Sequence, residues 1–347
     1  VYHELPALAQ SLGDITYAPL KGFSHYPCLR KVNRFVKEGV KMVDVQGTEH
    51  SQAPSLGALL SFIDQTDYDD MDSLKMDYRV VSRRAVTTTS HDCLRRKCPF
   101  YGTTCFVHGA RRFAETADVV VTNHTLLFCD AAADNGLLPP VRHWILDEAH
   151  GAEAEARRAF SLEIAAEDVT RLTQKVASGE SRNVYARAER KLSSSFKNDG
   201  ATLFEGLIGK AKSAGDMFAA AAHEFAPHIK DLLYFDPNKR SRNYDRTELW
   251  LNDDIRASET FGSLRTLAKA MQVSAEKAIT CSQELVGYLE NIEGAAEPQR
   301  EIASVAMDLK DLVGAVEVIF GEKSDSYAYA AELCRKEDKQ TDKLEAL

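Results

Sequence analysis

No apolar run in the sequence comes near the roughly 18 residues that a membrane span needs. The opening Val1-Tyr2-His3-Glu4 also lacks the basic-then-apolar pattern of a secretory leader. A helical membrane protein is thereby excluded, and a soluble, unsecreted one is expected. There is no initiator Met and no strong stop signal over 341–347, so truncation at both ends is expected. Repeats of solenoid period and low-complexity tracts are absent too. Cysteine occurs only seven times in 347 residues. An odd number without an export signal argues against a disulfide framework and for a reducing, cytoplasmic compartment. What is present is ordinary folded-protein composition, 44% hydrophobic and 27% charged, in a chain long enough for two or three folded units.

A net charge of −9 would disfavour nucleic acid if it were spread evenly. It is polarised instead. Arg83, Arg84, Arg95, Arg96, Lys97, Arg111 and Arg112 face a single acid, Asp92, between residues 83 and 112, and Lys21, Arg30, Lys31, Arg34 and Lys37 face Glu38 between 21 and 38. Between these blocks lie Asp64, Asp67, Asp69, Asp70, Asp72 and Asp77, expected to form an exposed connector turned away from any phosphate backbone.

Ile15 to Ala18, Asp118 to Thr122 and Val141 to Leu146 read as strands of an α/β sheet, with a cysteine-bearing insertion over roughly 21–117. After His150 the composition turns to Ala, Glu, Lys, Leu and Arg, with almost no strand signal up to about Gly321, which predicts a helical domain. Ile302, Val305, Leu309, Leu312, Val316 and Ile319 alternate at spacings of three and four, placing all six on one seam. Leu264, Leu267, Met271, Ala278, Leu285 and Ile292 repeat the pattern, and segments 167–176 and 202–233 supply further helices. A bundle of about four helices is the economical architecture, with 236–243 as a turn-rich connection.

Cys93, Cys98 and Cys105 are spaced C-x4-C-x6-C, while Cys28 stands alone in Lys21-Gly22-Phe23-Ser24-His25-Tyr26-Pro27-Cys28. Thiolates are soft ligands for zinc or for iron-sulfur clusters. Buried free cysteine is the alternative, but three within thirteen residues among basic neighbours do not make a core stripe. Structural zinc prefers tight C-x2-C knuckles, so these wider gaps favour a cluster and leave zinc as the second choice. Cys129, Cys281 and Cys334 have no sequence neighbours of their kind and are expected to be structural, Cys281 on the seam of its helix.

The run Val141 to Leu146 leads straight into Asp147-Glu148-Ala149-His150. At the carboxyl end of a parallel strand an Asp can hold Mg²⁺ beside nucleotide phosphates, and the next acid can orient the attacking water. An N-cap at Asp147 is the plain alternative. The upstream strand ending in Thr122-Asn123-His124, followed by a crossover of roughly twenty residues, favours the sheet.

Four features thus stand in one order: Lys-Gly-x4-Pro-Cys at Cys28, the three clustered cysteines, Val-Val-Val-Thr-Asn-His at 119–124, and Asp-Glu-Ala-His at 147–150. This order resembles the DinG/XPD family of iron-sulfur, superfamily-two DNA helicases, strongly over residues 1–150 and by position alone over the helical part. The resemblance implies a fold that is α/β plus mainly α. Residues 1–20 would be part of a RecA-like first motor domain and 21–117 an iron-sulfur domain. Motor strands with the DEAH box would fill 118–150, a helical arch domain 151–322, and a return toward the motor domain 323–347. It implies ATP-driven translocation on single-stranded DNA, usually 5′ to 3′, with unwinding of forked duplex in DNA repair or replication. Cys28, Cys93, Cys98 and Cys105 would hold a [4Fe-4S] cluster. Asp147 would serve Mg²⁺, Glu148 the water, and His150 the coupling of ATP state to a second motor domain. Protein partners would dock on the arch; no membrane partner is implied.

The family pattern is incomplete here. No G-x-x-x-x-G-K-[ST] occurs, since Gly209-Lys210 is followed by Ala211 and no suitably placed Gly precedes it. Without that loop the β and γ phosphates of ATP have no cradle, so the chain alone is expected to be inactive as an ATPase. The aromatics Tyr26, Phe100, Tyr101, Phe106 and Phe113 suit stacking on bases beside Arg95, Arg96, Lys97, Arg111 and Arg112, against the alternative that they pack beneath a small metal domain. Two rival readings stand beside the helicase. One is a metal-stabilised nucleic-acid-binding module without ATPase activity. The other is a helical interaction protein whose seam binds partner helices.

Overall fold

Residues 4–13, 15–133, 137–180, 182–196, 199–233, 246–336 and 339–346 are described in the computed structural model. The chain falls into two units, Val1–Phe160 and Ser161–Leu347. In the first, α1 (Glu4–Leu12) precedes β1 (Tyr17–Leu20) and α2 (Leu29–Glu38). A hairpin of β2 (Met42–Val45) and β3 (Thr48–Ser51) follows, turning at Gln46 and Gly47 with φ of 54° and 79°. Those left-handed angles are what a tight two-residue hairpin turn requires. Then come α3 (Ala53–Gln65), α4 (Arg83–Val86), α5 (Phe106–Thr116), β4 (Val119–Thr122), α6 (His124–Ala132) and α7 (Ala152–Phe160).

β1 and β4 pair in parallel, Tyr17 opposite Val119 through Leu20 opposite Thr122. Parallel neighbours need a long crossover, and the cysteine-bearing segment is that crossover. Its last helix, α5, buries Phe106, Val107, Ala110 and Ala114 against Ala18 and Leu20 of β1. The strand starts are tied by Asp118, whose carboxylate accepts from the Thr16 N–H at 2.9 Å and hydroxyl at 2.8 Å. A second core gathers Val32 of α2, Leu59 of α3, Met71, Val80, Val81 and Val86. Gly109 of α5 sits directly under the Tyr68 ring, where a Cβ would collide.

One expectation holds only in part in this unit and another fails. The acidic stretch is a solvated connector only in part: Asp64 and Asp67 are exposed, but Asp70 is buried, and Asp72 meets Lys21 at 2.8 Å, His25 at 2.8 Å and Arg83. Coulomb attraction folds the acids onto the first basic block and neutralises part of it. Residues 141–146 do not form a strand among the described residues, and Ile145 is 95% exposed. A strand exists through ladder hydrogen bonds to a neighbour, and this apolar run has none. The first sheet strand lies at 17–20, two residues beyond its expected span, while 119–122 falls where it was read.

The second unit opens with β5 (Leu162–Ala165), α8 (Ala166–Val176), α9 (Val184–Leu192), α10 (Asp199–Phe225) and α11 (Ile229–Leu233). It continues through β6 (Arg246–Trp250), α12 (Asp253–Arg256), α13 (Glu259–Tyr288), α14 (Ala296–Phe320), β7 (Tyr329–Lys336) and β8 (Lys339–Ala346). Ser258 caps α13 by accepting from the Phe261 N–H. The α13 residues Phe261, Leu264, Ala268, Met271, Ala275, Ala278, Ser282 and Leu285 are buried at heptad-like spacing. They meet Phe204, Ile208, Ala211 and Phe218 of α10 and the whole expected seam of α14, Ile302 through Ile319. Leu267, Ile292 and Cys281 are only partly buried at the margin of that core.

The helical part is not free of strands. β5 and β6 join the hairpin of β7 and β8 in an antiparallel sheet of order β5-β8-β7-β6. Most of the span 323–347, read from sequence as a return to the motor domain, is therefore paired inside the second unit. The turn-rich connection at 236–243 lies outside the described residues, as does the side chain of Cys334.

Candidate metal centre and DEAH segment

Three separate segments of the first unit deliver the cysteines. Cys28 is the residue before α2, pinned by its N–H to the Val86 carbonyl at 2.7 Å. Cys93 and Cys98 bracket a single 3-10 turn, Arg95 to Lys97, which opens with Arg95 at φ 48°. Cys105 is the residue before α5, its N–H donating to the Phe100 carbonyl at 3.0 Å. All four thiols line one cavity, walled by Pro27, Leu29, Leu94, Phe100 and Val107 with Arg30, Thr88, Tyr101 and His108. No carboxylate is among the lining residues. Among the described residues no three of His, Cys, Asp and Glu are set close enough to hold a single metal ion.

The backbone around this cavity is arranged for sulfur. The Cys93 Sγ accepts from the Arg95 N–H at 3.4 Å. Phe100 and His108 give backbone N–H groups to the thiols of Cys98 and Cys105. Burial pushes both of those thiols up, and the neighbouring cysteines push them further, because thiolates gathered in one pocket repel one another. The backbone N–H groups of Phe100 and His108, and for Cys98 the charge of Arg30, act in the opposite sense and favour the thiolates. Cys28 and Cys105 also stand at the amino-terminal ends of α2 and α5, where the helix dipole favours negative charge.

His108 reaches the cavity by its Nε2, 3.7 Å from the Cys93 Sγ, and stacks edge-on against Tyr101 at 4.5 Å. Burial lowers its pKa, and Arg111, Arg95 and Arg112 lower it further. Neither Thr88 nor the His108 contact was legible in the spacing of the cysteines; the run Thr87-Thr88-Thr89 just before Cys93 is the only sequence hint.

The basic residues separate into two kinds. Arg95, Arg96, Lys97 and Arg112 are exposed. Arg111 lies over the Phe23 ring at 4.9 Å with its Nε out of solvent, so its guanidinium belongs to the packing beside the cysteines. The aromatics divide in the same way. Tyr26 and Phe106 are core residues, Phe100 and Tyr101 wall the cavity, and Phe113 is exposed beside Tyr68 at 5.4 Å. Base stacking is thus closed to Tyr26 and Phe106.

Asp147 to His150 form an exposed turn leading into α7. The Asp147 Oδ1 accepts the Glu148 N–H at 2.9 Å, Glu148 adopts φ 49°, and its carboxylate lies 3.2 Å from the His150 Nδ1. The Glu148 and His150 side chains are in contact, and none of the three residues is buried.

No protein-family model matches the chain. Curated relatives do. Over 194 residues it is 36% identical to the ATP-dependent helicase DinG of Mycobacterium tuberculosis, a match covering 50% of this chain and 29% of the relative. It is 32% identical over 157 residues to the ATP-dependent DNA helicase YoaA of Haemophilus influenzae, covering 42% and 23%. These matches support the DinG/XPD-like helicase resemblance that the motifs carry. A 26% match over 244 residues, 66% of this chain and 24% of the relative, extends the likeness to a Bacillus subtilis family member named 3'-5' exonuclease DinG. In each case the match spans under a third of the relative's length. Among the described residues no helix is long and apolar enough to cross a membrane.

Proposed function

We propose that this chain is the cluster-bearing and DEAH-bearing portion of an ATP-dependent DNA helicase of the DinG/XPD-like family. A [4Fe-4S] cluster would be held by Cys28, Cys93, Cys98 and Cys105. The observation that carries the reading is the single cavity lined by four thiols from three segments. A cubane takes one thiolate at each of four irons and so needs ligands set around a volume, whereas zinc needs them at a point. When bound, the cluster supplies four-way cross-linking and one-electron redox capacity. The chain's own residues do the rest. The N–H groups of Arg95, Phe100 and His108 hydrogen-bond the sulfurs, and the starts of α2 and α5 face the negative centre.

Around that centre, Arg95, Arg96, Lys97 and Arg112 form the exposed cationic face that tracks phosphates of single-stranded or forked DNA, and Phe113 offers a ring for stacking. Asp147 would hold Mg²⁺, Glu148 would orient the attacking water and His150 would relay nucleotide state, once the strand before them is paired. Movement 5′ to 3′, a role in repair or replication, and protein partners on an arch formed by the second unit belong to the same proposal. Since no phosphate loop occurs in the 347 residues, this chain alone binds strands without hydrolysing ATP.

The test is strand binding by the anaerobically purified chain. Replacing Arg95, Arg96 and Lys97 by Gln weakens affinity for a short oligo-dT by about tenfold or more and flattens the salt dependence by roughly two to three charges. Unchanged affinity and slope would remove the DNA role from this face. The exposed DEAH turn gives the module without ATPase activity its one supporting observation. An in-frame Gly-Lys-Ser or Gly-Lys-Thr loop encoded upstream decides for the motor.

A further inference from the structure

A second cationic site stands in the second unit, far in sequence from any cysteine pairing or DEAH residue. Arg256, Arg265, Lys269 and Lys323 line an open cleft floored by Phe320, with Glu322 as its acid. The cleft is wide open to solvent and encloses about 510 Å³. In a chain of net charge −9 this concentration of cations is local and against the average.

The side chains are held rather than splayed. Arg256 is buried and donates to the Ile319 and Gly321 carbonyls, both at 2.9 Å. The carboxyl end of α14 would by itself repel an anion, and those two hydrogen bonds cover two of the carbonyls there. Arg256 and Arg265 both place guanidinium carbons 5.1 Å from the Phe261 ring. Burial lowers the Arg256 pKa; Tyr329 and Asp253 act against that and Arg265 acts with it. The Arg265 Nε is out of solvent and has no hydrogen-bond partner among the described residues. Lys269 lies one helical turn beyond Arg265 on the same face of α13. Lys323 is tied to Asp253 at 2.6 Å, so the cleft and its rim count four cations against two acids.

We propose that this cleft is a phosphate-binding site, in which Arg265 and Lys269 take the phosphate oxygens while Arg256 fixes the floor. Guanidinium and ammonium groups preassembled over an aromatic are a phosphate-recognition set. The phosphate comes from a strand backbone or from a free nucleotide or pyrophosphate. Only the strand source rests on the function proposed above.

The experiment titrates the full chain with inorganic pyrophosphate and, separately, with a short oligo-dT. R265Q/K269Q should weaken at least one of the two by about tenfold, while the charge-retaining R265K/K269R stays within about threefold of wild type. Loss of both, or of the strand alone, assigns the phosphate to a strand. Loss of pyrophosphate alone assigns it to a free ligand. Equal binding of both probes by wild type and R265Q/K269Q, with thermal melting unchanged, overturns the proposal. The single K269Q gives a milder second variant if R265Q/K269Q does not fold; unchanged binding of both probes by K269Q counts against the site. The Gln variants of Arg95, Arg96 and Lys97 keep the two readings apart, since loss of strand binding there leaves the pyrophosphate titration of this cleft intact.

Discussion

Asp72 shows how single residues set the frame of the metal unit. Burial pushes its carboxyl upward, but hydrogen bonds from Arg83, Lys21 and His25 outweigh that and hold it well below the usual carboxylate range. The Arg83 Nε also donates to the Ser24 carbonyl at 2.9 Å, and Lys21 reaches Asp70 at 3.0 Å, so the loop bearing Cys28 is tied to residues 70–83. A carboxyl depressed in the folded state adds stability above its unfolded pKa, and that stability is lost as pH falls through the folded value. D72N should therefore cost about 1–2 kcal/mol in urea unfolding at neutral pH, a figure discounted for the partial exposure of the pair. The difference from wild type should shrink as pH falls below about 4. A deficit that persists unchanged in acid would show that shape, not charge, ties the loop.

Elements differ in how far their residues announce them. The α14 seam was legible because every third or fourth residue from Ile302 to Ile319 is a large aliphatic, and all six are buried. β5 was not: Leu-Glu-Ile-Ala is four residues beside a helix-forming run, and it is a strand only because Lys343 to Ala346 pair with it from 180 residues away. Residues 141–146 err the other way, since an apolar run needs a neighbour to become a strand. At the site, Cys93, Cys98 and Cys105 were legible as a local cluster, whereas Cys28 joined them only through the family resemblance. The ion pairs of Asp72 and the stacking of Arg111 on Phe23 depend on tertiary neighbours that spacing does not encode. For the helical elements the central prediction is a packing one. Met271 of α13 is fully buried between α10 and α14. M271A should cost about 2–5 kcal/mol, read as a lower midpoint in denaturant at unchanged slope.

At the scale of the whole chain, two units carry two kinds of chemistry. The first brings thiols from positions 28, 93, 98 and 105 to one cavity and presents the DEAH turn. The second is a helical core built on α10, α13 and α14 with an antiparallel sheet and its own cationic cleft. Matches to DinG and YoaA helicases cover 50% and 42% of the chain. The proposed gathering of sulfurs about one cluster is the claim on which the rest depends, and Cys28 is its sharpest point because 64 residues lie between it and Cys93. The deciding measurement is iron and acid-labile sulfide per chain in anaerobically purified wild type and C28A. About four of each in the wild type, falling well below that in C28A, is the expected result. Iron absent from the wild type, or retained in full by C28A, would contradict it.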